Sequence, residues 1–419
     1  MKPTILIAST TRWFLAPARL GIAFAKLGCE VEAICPSGHA LQVTKAVRRT
    51  HVYKALSPLK SFLGAISLCR PDLLIVGDDL AYAHVHDLYD SLENNNDETS
   101  AEIRELIERS TGSAKSYSIV TGRAAILALA REEGIQVPKT VVLQGIADLE
   151  PWSRQMGFPV VLKTDGSSSG EGVRIAGSLS EARRAFRTLQ PPPQLIRVAR
   201  RVLIGRDMRW IKPTLERRRS VVNVQEYVRG HDATSSVACW KGEVLAALHF
   251  EVVDKGRERG PSSVLRLSER KEISDAVEKI ARRLNLSGLH GFDFLLEKES
   301  GKPYLIEMNP RATQVGHLAL GPARDLPAAL LAALRGQPIP AREKVTENPI
   351  VALFPQEWSR DPQSPMLNTA YHDIPWEEPD LVRYCLRKAR KWNDWRSLEK
   401  WICILAAHRC SSPQSPNST

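Results

Sequence analysis

The chain has 419 residues, a hydrophobic fraction of 43% and a formal net charge of +11 at pH 7, values typical of a globular protein with two to three domains. No run of eighteen or more apolar residues occurs, so no membrane-spanning helix is expected. The seven cysteines are scattered without a C-x-x-C motif, which argues against a zinc site and favours a reducing, cytoplasmic compartment.

Much of the positive charge lies in two segments, 197–219 and 383–409. A basic protein can bind nucleic acid, but the chain has no helix-turn-helix, zinc finger or aromatic stacking motif. No nucleic-acid partner is therefore expected. A polyanionic or acidic small molecule is a simpler partner for this charge.

Residues 1–115 are predicted to form a Rossmann-like α/β domain. Strands are predicted at 4–9, 30–35 and 72–79, and a helix is predicted at 16–27. The start of the chain is predicted to be the first of these strands, because its apolar stretch is too short for a secretion signal. The continuous apolar strand at 72–79 is typical of a parallel sheet covered by helices.

Two polar segments follow the carboxyl ends of these strands, the loop 9–13 and the pair Asp78 and Asp79. Ligands of parallel sheets bind at that edge, so both segments are predicted to help hold an acceptor substrate. The alternative for the two acids is that they cap a helix, and the sequence leaves it open.

A segment suited to phosphate follows helices predicted at 97–110 and 117–133 and a strand at 140–143. A buried strand ends in Lys163 and runs into the Gly/Ser-rich loop 164–175. Such a loop presents backbone N–H donors to an anion, and the lysine adds a point charge. An ordinary hairpin tip is the alternative.

Further on, an apolar strand at 221–228 is followed by Gly230 and Asp232. The backbone of such a strand can bind the edge of an adenine ring, and the carboxylate can accept from ribose hydroxyls. A plain edge strand is the alternative. The basic segment 191–220 before it is predicted to be a solvated insertion, with a substrate-recognition arm as the alternative.

The most informative segment is a predicted hairpin with strands at 291–297 and 304–311. Because side chains alternate along a strand, Glu307 and Asn309 share one face, and Asp293 on the neighbouring strand can reach it. Such an oxygen cluster suits Mg²⁺ bound to substrate phosphates. The opposite face is predicted to pack in the core through Tyr304, Ile306 and Met308.

These motifs, in this order, resemble the ATP-grasp superfamily, which includes carbamoyl-phosphate synthetase, biotin carboxylase and D-alanine–D-alanine ligase. The resemblance covers about residues 116–335, and its most specific motif is Ile-Glu-Met-Asn-Pro-Arg at 306–311. It implies an ATP-grasp domain at 116–340 with a mobile lid at about 140–230, behind a Rossmann-like domain.

The resemblance implies binding of ATP with Mg²⁺ or Mn²⁺. The implied metal ligands are Asp293, Glu307 and Asn309, and the implied catalytic residues are Arg311 and Lys163. The implied nucleotide-binding residues are Arg123, Lys163, Gly166, Ser168, Ser169, Gly170, Gly172, Glu226, Tyr227, Val228 and Asp232. The family usually has lysine where Arg123 stands and glutamate where Asp232 stands.

Residues 341–419 are predicted to be a Pro-rich linker, a basic helical extension and a disordered tail. Helices are predicted near 380–391 and 395–407. Packing of these helices on the protein itself is favoured over peripheral contact with a membrane surface.

The resemblance implies ATP-dependent ligation of a small-molecule carboxylate to an amine through an acylphosphate, with release of ADP and phosphate. A homodimer is compatible with it. Two alternatives are a kinase-like phosphotransferase and a non-catalytic ATP-binding protein at a membrane. The sequence identifies neither the carboxylate nor the amine.

Overall fold

The structure, a computed structural model, describes residues 2–12, 14–95, 97–164, 172–190, 220–256 and 260–389. Within these ranges the chain forms three β-sheets. Two hydrophobic cores combine residues of the first and the last sheet, whereas the middle sheet has a smaller core of its own.

The N-terminal sheet is parallel, which confirms the prediction from its apolar strands. The strands are β1 (Thr4–Ala8), β2 (Glu30–Cys35), β3 (Arg49–Val52) and β4 (Leu73–Val76), and the helices are α1 (Ala16–Lys26), α2 (Pro58–Cys69), α3 (Asp79–Ser91) and α4 (Glu98–Thr111). The order is β3-β2-β1-β4. The apolar residues of β1 and of the edge strand β4 are buried, since both faces of the sheet are covered.

The helix predicted at 117–133 is two helices, α5 (Tyr117–Thr121) and α6 (Arg123–Glu132). Gly122 between them has an extended backbone with φ −92° and ψ 110°. A Cβ at this position would lie 2.9 Å from a backbone carbonyl oxygen of α5, so the close approach requires glycine. The break makes Arg123 the first residue of α6, where it is buried.

The middle sheet is antiparallel, with the order β5-β8-β6-β7. It comprises β5 (Thr140–Leu143), β6 (Val160–Thr164), β7 (Val173–Ala176) and β8 (Val222–Glu226), together with α7 (Leu149–Met156) and α8 (Leu179–Leu189). Of the predicted nucleotide-binding residues in the Gly/Ser-rich loop, Gly172 is described, and its carbonyl oxygen accepts from the N–H of Thr164 at 3.0 Å. Gly166, Ser168, Ser169 and Gly170 lie outside the described residues, as do residues 191–219 of the predicted insertion.

The last sheet has seven strands in the order β13-β12-β9-β10-β11-β14-β15. These are β9 (Gly230–Trp240), β10 (Glu243–Lys255), β11 (Ser262–Leu267), β12 (Gly288–Glu297), β13 (Pro303–Asn309), β14 (Ile350–Leu353) and β15 (Tyr371–Asp373). The helices of this part are α9 (Lys271–Leu284), α10 (Leu326–Arg335), α11 (Gln356–Arg360), α12 (Met366–Thr369) and α13 (Pro379–Ala389).

The predicted core face of β13 is wrong for two of its three residues. Asp293 pairs with Glu307, but the next residue of β12 pairs with Leu305, so Ile306 is the extra residue of a β-bulge. A bulge interrupts the alternation of side chains along a strand. As a result Leu305 is buried, whereas Ile306 and Tyr304 are only half-buried. Met308 is buried, as predicted.

The prediction of a linker after residue 340 is also wrong in part. β14 pairs antiparallel with β11, and β15 pairs parallel with β14. α13 buries Leu381 and Leu386 in the same core as these strands, so this helix packs on its own protein. No helix of the described residues is long and apolar enough to cross a membrane. The helix predicted near 395–407 lies outside the described residues.

Buried histidines make the stability of the fold sensitive to acid. Burial lowers the pKa of four histidines from 6.5 to about 4; they are His86, His249, His290 and His372. Between about pH 4 and 6.5 these histidines are therefore protonated in the unfolded chain and neutral in the folded chain. The stability contributed by these neutral histidines is fully present above about pH 6.5 and falls by about 1.4 kcal/mol per pH unit for each of them as the pH drops towards 4.

His86 gives the sharpest test, because its ring lies 4.6 Å from the ring of Tyr82 and 4.5 Å from that of Tyr117. Neither ring nitrogen has a hydrogen-bond partner among the described residues. His86→Phe is expected to raise the free energy of unfolding at pH 5 by about 2 kcal/mol. The slope of that free energy against pH should decrease by the contribution of one proton taken up on unfolding, about 1.4 kcal/mol per pH unit. Urea titrations at several pH values measure both, with the exposed His231→Asn as control. Equal slopes for His86→Phe and the parent protein would contradict the prediction.

Candidate active site

Three oxygen-bearing side chains meet on β12 and β13. In the register of this pair, Asp293 lies opposite Glu307, and Gly291 lies opposite Asn309. The carboxylate of Asp293 accepts from Thr234 Oγ1 at 2.9 Å and from Asn309 Nδ2 at 3.0 Å. Burial, and then the charge of Glu307, raise the pKa of Asp293. Two carboxylates and an amide at such close range fit a hard divalent cation.

The backbone of Gly291 permits this approach. A Cβ there would lie 2.4 Å from Thr313 Cγ2 and 3.5 Å from Asn309 Cβ. One oxygen each of Glu307 and Asn309 already accepts a hydrogen bond from the protein. Arg123 donates to Glu307 Oε1 at 2.7 Å, and Arg311 donates to Asn309 Oδ1 at 3.2 Å. For Asn309 to offer its oxygen to a cation beside Asp293, its amide must rotate.

Two buried cations face this cluster. Lys163 on β6 is 7% exposed and Arg123 is 8% exposed. Burial, and then the neighbouring Arg123, lower the pKa of Lys163 to about 8, while Glu307 and Asp293 act in the opposite direction. Arg123 Nη1 also donates to the carbonyl oxygen of Thr164 at 3.1 Å. Buried and adjacent positive charges of this kind suit phosphate oxygens.

Arg311 joins this cluster to the N-terminal sheet. Its Nε donates to Asp79 Oδ1 at 2.9 Å, and its guanidinium lies 5.0 Å from the centre of the ring of Phe14. The carboxylate of Asp79 helps to raise the pKa of Arg311 against the effect of burial. The guanidinium is therefore a fixed positive charge, held between α3 beside the N-terminal sheet and β13 of the last sheet.

Of the pair Asp78 and Asp79, Asp78 has the capping role that was the alternative to substrate binding. Asp78 is the N-cap of α3, where it accepts from the N–H of Ala81 at 3.0 Å. Its carboxylate also accepts from the N–H and the hydroxyl of Thr10, each at 2.6 Å, and from Ser9 Oγ at 2.9 Å. The prediction that Asp78 and the loop at Ser9 and Thr10 hold a substrate is thus not supported, because these groups satisfy one another.

Asp78→Asn is expected to lower the free energy of unfolding by about 2–4 kcal/mol, since an amide nitrogen would replace an oxygen that accepts buried hydrogen bonds. Asp79→Asn is the matched control and should cost less than about 1 kcal/mol, because its carboxylate is half exposed. Urea denaturation of the two variants measures the difference. Similar losses in both would assign Asp78 no special structural role.

The described residues line a cavity of about 600 Å³ in which these groups meet. All three sheets contribute to its wall, through Asp79 beside the N-terminal sheet, Lys163 in the middle sheet and Glu307 in the last sheet. The other charged or amide residues in the wall are Arg123, Asp232, Lys255, Asp293, Asn309, Arg311 and Gln314. Asp232 forms an ion pair with Lys255 across β9 and β10, and burial lowers the pKa of Lys255.

The predicted adenine-binding residues are not among the described residues that line the cavity. The carboxylate of Glu226 accepts from the N–H of Lys139 at 3.1 Å, which ties β8 to the start of β5. Val228 is buried and Tyr227 is partly exposed. The roles assigned to these three residues remain predictions, as do those of the lid.

Sequence reasoning missed several residues of the wall, among them Thr234, Thr313, Phe14 and Tyr117. Thr234 lies directly opposite Asp293 in the pairing of β9 with β12. This relation depends on the register of two strands about sixty residues apart. No local pattern in the sequence carries that information.

Residues 123–320 match the family described as "Carbamoyl-phosphate synthase L chain, ATP binding domain". This part of the chain is an ATP-grasp domain, and the resemblance drawn from its motifs is confirmed. The match begins at Arg123, the first residue of α6, and includes every candidate phosphate, metal and catalytic residue named above.

The chain is similar to formate-dependent phosphoribosylglycinamide formyltransferase of Bacteroides fragilis, with 27% identity over 54% of this chain and 55% of that protein. It is also similar to biotin carboxylase of Allochromatium vinosum, with 27% identity over 39% of this chain and 33% of that protein. The chain thus spans about half the length of the first of these relatives and about a third of the length of the second.

Two solved structures have the same fold. One is carboxyaminoimidazole ribonucleotide synthase from Aspergillus clavatus with ATP, with a TM-score of 0.58, 16% identity and coverage of 83% of this chain and 81% of that chain. The other is the biotin carboxylase domain dimer of 2-oxoglutarate carboxylase from Hydrogenobacter thermophilus with MgADP and bicarbonate. It has a TM-score of 0.58, 15% identity and coverage of 80% of this chain and 70% of that chain.

Proposed function

We propose that the protein is an ATP-dependent ligase that joins a carboxylate to an amine or similar nucleophile and releases ADP and phosphate. One observation carries this proposal: five residues of the segment matched to the family line a single cavity, namely Arg123, Lys163, Asp293, Glu307 and Arg311. The names of the relatives support it, since one is a formate-dependent formyltransferase and the other a biotin carboxylase, and formate is a small carboxylate.

In this proposal the nucleotide phosphates lie at Lys163 and Arg123, the two buried cations of the cavity. Asp293, Glu307 and Asn309 would hold Mg²⁺, which would neutralise phosphate charge. Arg123 then has an alternative partner, because the phosphates would replace Glu307 in its hydrogen bond. The predicted nucleotide-binding residues of the Gly/Ser-rich loop would cover the phosphates; they are Gly166, Ser168, Ser169, Gly170 and Gly172.

The acceptor carboxylate would lie at the end of the cavity bounded by Arg311, Asp79 and Phe14. An oxygen of the carboxylate attacks the terminal phosphorus, the bond to the ADP oxygen breaks, and an acylphosphate forms. The amine then attacks the acyl carbon, phosphate leaves, and the amine loses a proton. The fixed charge of Arg311 would stabilise the phosphoryl group, since preorganised charges are usually the largest catalytic contribution.

The test is a screen of small carboxylates, each with and without an amine, for formation of ADP. The expected result is ADP release that depends on both partners, with hydroxylamine able to replace the amine by trapping the acylphosphate. ADP release with an alcohol and without any carboxylate would instead identify a phosphotransferase. Nucleotide binding without turnover of any pair would identify a non-catalytic ATP-binding protein.

A further inference from the structure

We propose that Glu32, His51 and Cys69 form a zinc-binding site in the N-terminal parallel sheet. A ligand atom of each residue lies within 4.8 Å of those of the other two. None of the three is among the described residues that line the nucleotide cavity. The site is therefore separate from the proposed ligase chemistry and can be tested independently of it.

The fold brings these residues together from three elements. β2 carries Glu32 and the edge strand β3 carries His51, and in their register Glu32 lies opposite Arg49. Residues two apart on a strand share a face, so His51 is on the same face as Glu32. Cys69 is the last residue of α2, which packs on these strands.

The chemistry of the three groups fits zinc best among the common metals. Thiolate, imidazole and carboxylate are its usual ligands, whereas Mg²⁺ and Ca²⁺ select oxygen alone. Three protein ligands leave one tetrahedral position for water. In such a site neighbouring ligand atoms are about 3.3–3.6 Å apart, so the contact of His51 Nε2 with Glu32 Oε2, 2.8 Å in this structure, must lengthen only slightly.

The surroundings also favour a cation. Glu32 is 4% exposed, and the hydrogen bond with His51 is the only one that its carboxylate makes with described residues. α2 ends at Cys69, and the carboxyl end of a helix carries a partial negative charge. The side chain of His51 is 13% exposed, which gives an ion a path to the site.

The proposed site differs from the prediction drawn from the cysteine pattern, which argued against zinc. Sequence reasoning searched for pairs of closely spaced cysteines, and the ligands here are separated by 19 residues in one interval. They form a cluster only because two parallel strands and the helix after them fold together. A zinc ion would cross-link these three elements at the edge of the sheet.

The experiment uses the full chain, with Cys403→Ser and Cys410→Ser introduced to remove two thiols outside the described residues. After treatment with a chelator, calorimetry measures binding of Zn²⁺, and absorption spectroscopy of the Co²⁺ complex reports a thiolate ligand. We expect one equivalent of Zn²⁺ and a Co²⁺–thiolate charge-transfer band. Cys69→Ser, His51→Gln and Glu32→Gln should each weaken zinc binding by at least about 100-fold.

The matched control is Cys29→Ser, which removes a buried thiol directly before β2 and should leave zinc affinity and the Co²⁺ band unchanged. A thermal melt adds a second measurement, because Zn²⁺ should raise the melting temperature of the parent protein and not that of Cys69→Ser. The proposal is overturned if the parent protein binds no Zn²⁺, if the Co²⁺ complex lacks the thiolate band, or if Glu32→Gln binds Zn²⁺ as tightly as the parent. Glu32 and His51 would then be a simple hydrogen-bonded pair beside an unrelated thiol.

Discussion

Glu307→Gln is expected to abolish Mg²⁺-dependent turnover of ATP, with a loss of at least about 10³-fold in kcat and an intact fold. Glutamine keeps the size of the side chain and still offers an oxygen to Arg123, which donates to Glu307 at 2.7 Å. It removes one of the two negative charges at the proposed metal site. The loss should therefore come from the metal and not from the packing of β13.

ADP release with the best substrate pair from the screen measures turnover. Calorimetry with a non-hydrolysable ATP analogue, with and without Mg²⁺, measures binding separately. In the parent protein Mg²⁺ should strengthen binding of the analogue, and in Glu307→Gln this dependence should disappear. Metal dependence is the informative readout, because a purely structural defect would weaken binding equally under both conditions.

Glu299→Gln is the matched control, since it removes an exposed carboxylate from the turn of the same hairpin. It should leave turnover, nucleotide affinity and the effect of Mg²⁺ unchanged. Unaltered ADP release in Glu307→Gln would remove the metal site from the proposed mechanism. Loss of turnover in both variants would instead point to a general effect of charge on the hairpin.

The elements that the sequence predicted best are those with strong local signals. The continuous apolar runs at β4 and before Lys163 were sufficient to predict a parallel sheet and the buried strand β6. The oxygen cluster of Asp293, Glu307 and Asn309 was also predictable, because the turn of a hairpin brings nearby residues of the sequence face to face.

The errors arose where long-range geometry decides. The bulge at Ile306 places the side chain of Tyr304 on the opposite face of β13 from the predicted one, and the local alternation of residues does not indicate the bulge. The strands β14 and β15 lie among prolines, which suggested a linker, yet they complete the edge of the large sheet. Apart from Ala81, the partners of Asp78 are 67–69 residues away in the chain, so sequence alone could not choose between a cap and a substrate ligand.

Lys163→Met is expected to have opposite effects on binding and on stability. Methionine fills a similar volume without a charge, so the affinity for ATP should fall by about 100-fold, the effect of losing a charged hydrogen bond of about 2–3 kcal/mol. The fold should become more stable, because burial of the ammonium lowers the pKa of Lys163 from 10.5 to about 8. That shift corresponds to a cost of about 3 kcal/mol that methionine avoids.

The pH dependence separates this explanation from a change in packing. Below about pH 8 the lysine is charged in both the folded and the unfolded chain, so the stabilisation of Lys163→Met should be complete. Between pH 8 and 10.5 the folded lysine loses its proton first, and the difference in stability between variant and parent should vanish. Urea titrations at pH 7 and pH 10 measure it, with the exposed Lys298→Met as control. If Lys163→Met is less stable at pH 7 and still binds ATP, Lys163 is a packing residue. Greater stability together with lost affinity for ATP is the result expected of a charge that is retained for its ligand.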